Sequence, residues 1–149
     1  MKKLLCLFIV LIVVFAGGCS IKAAYKFLQS PTEISVIEIV KVSRDESTGE
    51  IEQTTISTID DIEVFLKDFS QVNCYLIYTD PKGIDDSALV IKIVYQDGEY
   101  ELIDVRGQAQ YTDESGFRNY TGYRSFDDIE FKNLISKYSE EQSENWPWC

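Results

Sequence analysis

Histidine is absent from this 149-residue chain. Its absence excludes Ser-His-Asp and Cys-His nucleophile pairs, which need imidazole as the base. It also removes the ligand on which most zinc and non-haem iron sites lean. No glycine-rich phosphate loop and no Cys-x-x-Cys pair occurs, so two further chemistries lack their usual motifs. Basic residues are scarce, 14 Lys and Arg against 25 Asp and Glu, for a formal net charge of −11. Such a charge repels nucleic acid and anionic headgroups. No nucleic-acid partner, cofactor or metal site is expected.

Only one long apolar run is present, and it is short for a membrane span. Leu4 to Gly18 is fifteen residues without a charge. As a helix it covers about 22 Å, against a hydrocarbon core of about 30 Å. Met1-Lys2-Lys3 precedes it, and Ala16-Gly17-Gly18-Cys19-Ser20 closes it. A basic head, an apolar core and small residues before a cysteine read as a secretory signal with a lipid-attachment site. The segment resembles the signal of bacterial lipoproteins. Gly17 and Gly18 stand at the two small lipobox positions, Cys19 at the acylated one, and Ala16 where leucine or valine is usual. The alternative is an uncleaved single-pass anchor running on through Ile21, Ala23 and Ala24. Lys2 and Lys3 hold the N-terminus inside either way. The expected location is the outer face of the cytoplasmic membrane, with the membrane as a partner through the lipid.

Removing residues 1–18 leaves 131, with 12 basic and 25 acidic residues and a net charge of −13. That suits one domain with its own core. The division expected is a signal peptide over 1–18, a tether over 19–33, a single domain over 34–139 and an acidic, aromatic tail over 140–149. Cys6 leaves with the leader. Cys74 and Cys149 are free to pair in an oxidising compartment, but two cysteines do not define a framework. The tail ends Trp146-Pro147-Trp148-Cys149. Insertion at the bilayer interface, folding back onto the domain and disorder all remain open for it.

Ile34 to Val42 is β-branched, with Val36, Val40 and Val42 on one face and Ile37 and Ile39 on the other. Apolar residues on both faces predict an interior strand. A polar turn around Gly49 leads to a threonine-rich strand, Ile51 to Ile59. Asp60 then stands as a helix cap, with Glu63 completing a capping box and Ile59 stapling to Val64. Ile62, Phe65, Leu66 and Phe69 follow at helical spacing. Cys74 to Tyr78 is a strand. Leu89, Ile91, Ile93 and Tyr95 alternate, and Asp97-Gly98 reads as a two-residue hairpin loop into Tyr100, Leu102 and Val105. Residues 108–124 hold one or two more strands. Asp127 caps a second helix, with Glu130 as its box and Phe126 stapled to Phe131. Phe131, Leu134, Ile135 and Tyr138 form its stripe.

The order predicts an α+β domain: an antiparallel sheet of about five strands with two amphipathic helices on one face, preceded by an apolar leader helix. In layout the chain resembles the small uncharacterised lipoproteins of Gram-positive bacteria. That resemblance implies location and carries no catalytic residue.

The carboxylate pairs Asp60/Asp61 and Asp127/Asp128 are explained as helix starts. Asp80, Asp85 and Asp86 share a loop without the ligand spacing of an EF-hand. The richest run lies between 106 and 126, where Arg106, Tyr111, Arg118, Tyr120, Tyr123 and Arg124 crowd an otherwise acidic chain. Tyr and Arg are enriched at interface hot spots, so these six are the candidate ligand-binding residues. The plainer account is an edge strand whose tyrosines half-bury while its arginines pair with acids. The functional expectation is a membrane-tethered extracytoplasmic binding domain for a protein, peptide or glycan. The alternatives are a carboxylate- or tyrosine-based cell-envelope enzyme and an immunity or envelope-protection lipoprotein.

Overall fold

Apolar side chains on both faces put Ile34–Arg44 inside a sheet, between strands on either side. The computed structural model describes residues 22–44, 51–76, 84, 88–112, 116–118 and 124–139, by backbone alone at 44, 107–112, 116–118 and 124. The leader with Cys19, the acids Asp80, Asp85 and Asp86, the candidates Tyr120 and Tyr123, and the tail with Cys149 lie outside these residues.

The elements run β1 (Ile34–Arg44), β2 (Ile51–Thr58), α1 (Ile62–Phe69), β3 (Cys74–Leu76), β4 (Leu89–Tyr95), β5 (Tyr100–Asp104), β6 (Gly107–Thr112), β7 (Gly116–Arg118), β8 (Arg124–Phe126) and α2 (Asp128–Tyr138). One sheet has six strands in the order β2-β1-β4-β5-β6-β7, and β3 pairs with β8 in a second, two-stranded sheet. Every pairing is antiparallel. The class is α+β, as expected. The count of about five strands is corrected, because the polar run after Asp104 continues the sheet and β8 leaves it for β3.

Register sets the two faces. Ile37 opposes Ile93, Ile39 opposes Ile91, and Ile91 opposes Ile103. These side chains join Phe65 and Phe69 of α1 and Phe131, Leu134 and Ile135 of α2 in one buried cluster. Both apolar helix stripes therefore cover the same sheet face. On the other face Val40, Val42, Val90 and Leu102 pack with Ile84 in a second cluster. β4 is thus firmly buried on its Ile91, Ile93 and Tyr95 side, and on the other side at Val90, with Lys92 and Val94 half-buried. Two bulges keep this phase: Ser35 is extra in β1 against β4, and Ile56 is extra in β2 against β1.

Helix α2 begins as its sequence predicts. The Asp127 carboxylate accepts from the N–H groups of Ile129 and Glu130, both at 3.1 Å. The Phe126 and Phe131 rings pack across the entry in a tilted pair, with centroids 5.1 Å apart. Glu130 does not close a capping box. It accepts instead from the backbone N–H and side-chain amide of Asn73, at 2.6–2.9 Å. Helix α1 departs further. Its cap is Asp61, accepting from Val64 N–H at 3.0 Å, and Asp60 is exposed. The shift by one residue leaves Val64 47% exposed, so the Ile59 staple is absent, while Ile59 itself joins the core beside Phe65.

The β4–β5 loop is three residues, Gln96 to Gly98, closed by Tyr95 N–H to the Glu99 carbonyl at 2.8 Å. Only one left-handed position is needed, and Gly98 supplies it with φ 89°, as in a type I turn followed by a bulge. The two-residue hairpin falls one strand later, at Val105-Arg106 between Asp104 and Gly107.

Residues 22–33, expected as part of a tether, pack on the domain. Lys22 bridges Tyr75 of β3, and Ala23 N–H donates to the Cys74 carbonyl at 2.9 Å. Tyr25, Phe27 and Leu28 add to the helix-side core. The strap ends in a 3-10 turn, Pro31–Glu33, entered from an extended Ser30, as a residue before proline prefers.

Candidate functional site

The Tyr/Arg run builds one end of the large sheet. Tyr111 of β6 stands in register between Tyr100 of β5 and Phe117 of β7. Arg118 of β7 opposes Gln110, and Arg124 of β8 opposes Leu76 of β3. Among the described residues β7 is the terminal strand, and β8 lies near β6. The backbone thus places Tyr111 and Arg118 on neighbouring strands towards one end of β6, and Arg106 in the hairpin at its other end, near β8 with Arg124; Tyr120 and Tyr123 belong to the stretch between β7 and β8, outside the described residues.

Arg106 has a structural duty as well. Its N–H donates to Asp104 Oδ1 at 2.9 Å, and its guanidinium lies 3.4 Å from Oδ2. Asp104 is 6% exposed, so this pairing keeps a buried carboxylate satisfied inside the tight hairpin. One of the six candidates therefore answers to the plainer account, arginine paired with an acid.

Sequence reasoning passed over a second constellation. Glu101 is completely buried on the helix-facing side of β5. It accepts from Tyr25 Oη at 2.7 Å, from Leu28 N–H at 3.2 Å and from the Tyr95 hydroxyl. Burial raises the Glu101 pKa above the ordinary carboxylate range, against the pull of these three donors. Burial, then the Glu101 charge, pushes the Tyr95 hydroxyl up. The group is a latch, binding the N-terminal strap to β5. Gln29 extends it, reaching Asp97 at 2.7 Å and Glu99 at 3.2 Å, and its amide lowers the Asp97 pKa. The signal was present: Glu101 shares strand phase with Ile103, so an acid stands where the alternation demands an apolar residue.

Two hollows flank the helices. An apolar cavity of about 240 Å³ lies under the strap, walled by Ala23, Tyr25 and Phe27, by Leu66 and Phe69 of α1, and by Cys74 and Phe126. A shallower groove of about 400 Å³ separates α1 from α2, with Asp68, Gln71, Glu130 and Lys137 on its rim. Lys137 Nζ sits 2.6 Å from Asp68, and the Tyr138 hydroxyl donates to the same carboxylate. The Lys137 contact holds the Asp68 pKa below the usual range, and Lys137 is raised in return. Among the described residues no three His, Cys, Asp or Glu side chains converge to hold a metal, and no helix is long and apolar enough to cross a membrane.

No family model matches the chain, and neither a curated protein nor a solved structure resembles it significantly.

Proposed function

We propose that the chain is a membrane-tethered extracytoplasmic binding domain, anchored through Cys19, whose ligand surface is the sheet end formed by β6 and β7 with β8 beside them. One observation carries the reading. Residues 106–126 concentrate arginine and aromatic side chains in an acidic chain, and they supply the last two strands of the large sheet, β6 and β7, and then β8, which pairs with β3 in the second sheet. Among the described residues no strand pairs with the outer edge of β7. A terminal strand presents backbone donors and acceptors to an extended peptide, and alternate side chains then set specificity. Arginines draw an acidic group on that peptide, while the field of the whole domain discourages nonspecific polyanions.

The test substitutes Tyr120→Ala and Tyr123→Ala in the anchored protein. Cross-linked partner capture and thermal unfolding are read on the same variants. A hot-spot tyrosine costs more than about 1 kcal/mol of affinity, roughly fivefold, with folding intact. Lost stability at unchanged affinity per folded molecule refutes the assignment and leaves these tyrosines as edge packing.

A further inference from the structure

The strap changes the distance between anchor and domain. The sequence allots residues 19–33 to a tether, but the chain is hydrogen-bonded to β3 from Lys22 onward. Three residue steps separate Cys19 from Lys22, and an extended chain spans at most about 3.3–3.6 Å per residue. The anchor point therefore lies within roughly 10 Å of the strap. At that reach the domain cannot turn an arbitrary side to the membrane.

The surface at that point differs in character from the rest of the chain. The mouth of the apolar cavity is formed by the strap, the last turn of α1 and β3. Three lysines directly adjoin its lining residues: Lys22 before Ala23, Lys26 before Phe27 and Lys67 after Leu66. All three are exposed. Two acids also adjoin the lining, and both are engaged: Asp68 with Lys137 and Tyr138, Asp127 with the start of α2. An apolar hollow with exposed lysines next to its lining residues in the chain, Lys22 of them hydrogen-bonded to Asn73, complements the boundary between lipid headgroups and acyl chains, where lysine stems lie along apolar surface and their ammonium groups meet phosphate.

We infer that this strap face is the membrane-docking surface of the domain, held against the bilayer by the short leash, with lipid occupying the mouth of the apolar cavity. The inference rests on the tethered reading of the chain. Docking this face holds the domain in a set orientation and prevents it from sweeping freely around its anchor.

The test uses full-length protein purified from membranes and reconstituted in vesicles of phosphatidylethanolamine and phosphatidylglycerol. A photo-reactive benzophenone side chain replaces Ala24, Ser70 or Thr55, each an exposed position. Lipid adducts are expected at 24 and 70 and not at 55, on the far edge strand β2. Ten flexible residues inserted between Ser20 and Ile21 lengthen the leash from three residues to thirteen. Effective concentration falls as about the −3/2 power of length, so adduct yield at 24 and 70 drops by roughly ninefold. Thermal unfolding checks that each variant is folded. Equal yields at all three positions, or yields unmoved by the insertion, overturn the docking surface while leaving the tether intact. Cross-linking of 24 and 70 to the peptide 140–149 in place of lipid also overturns it, by giving the cavity to the chain's own tail. A protein that stays in the aqueous fraction and labels no lipid anywhere overturns the tethered reading itself.

Discussion

Glu101 offers the sharpest check on the physical account. Its carboxylate is completely buried and accepts three hydrogen bonds that tie residues 25–28 and Tyr95 to β5. Glu101→Ala strands two hydroxyls and one backbone N–H. The buried Tyr95 hydroxyl costs about 1–3 kcal/mol when it loses this acceptor, and the half-buried Tyr25 hydroxyl and Leu28 N–H cost less because water reaches them, so the loss is about 1–3 kcal/mol. For a domain of roughly 120 residues that lowers the Tm by about 4–12 °C. Glu101→Gln keeps the volume and an acceptor oxygen and removes the buried charge. The folded state holds the Glu101 carboxyl above its ordinary 4.5, so it binds the proton more tightly than the unfolded chain does. Wild-type stability from this group is full below pH 4.5 and declines as pH rises through the higher folded value. Glu101→Gln lacks that decline. Urea unfolding of both proteins from pH 4 to pH 8 isolates the effect, because the other carboxylates cancel in the difference. The glutamine variant gains on wild type as pH rises. A difference that is flat with pH, or of the opposite sign, refutes the burial argument, and an alanine variant losing under about 1 kcal/mol refutes the latch.

Asp127→Ala and Asp61→Ala each cost about 0.5–2 kcal/mol, since each strips an acceptor from helix N–H groups. Asp60→Ala changes stability by less than about 0.5 kcal/mol, and chemical denaturation that reverses the order of Asp60 and Asp61 contradicts the observed cap. Cys19→Ser abolishes labelling by a fatty-acid analogue and leaves the leader uncut, whereas equal labelling of variant and wild type refutes lipidation there.

Local chemistry alone settled the elements whose signals are short-range. Asp127, Phe126 and Phe131 lie within five residues of one another, so the cap and staple of α2 follow from sequence. The two apolar faces of β1 and the stripes of both helices follow from periodicity, because burial on one side repeats at 2.0 or 3.6 residues. Where two neighbours offer the same chemistry, sequence does not choose. Asp60 and Asp61 both make good caps, and the fold takes Asp61, with Ile59 in the same buried cluster as Phe65. The hairpin loops were likewise decided by pairing: the register of β4 on β5 demanded three residues around Gly98, while a buried Asp104 let Arg106 close the next turn in two. The strap is the clearest tertiary decision. Nothing within residues 22–33 requires them to pack, and their partners, Asn73, Cys74, Asp97, Glu99 and Glu101, stand 51 to 76 residues away. A hydrogen bond to a buried acid is visible in sequence only as an acid out of phase. Which donors satisfy it depends on which segment the fold lays across the strand.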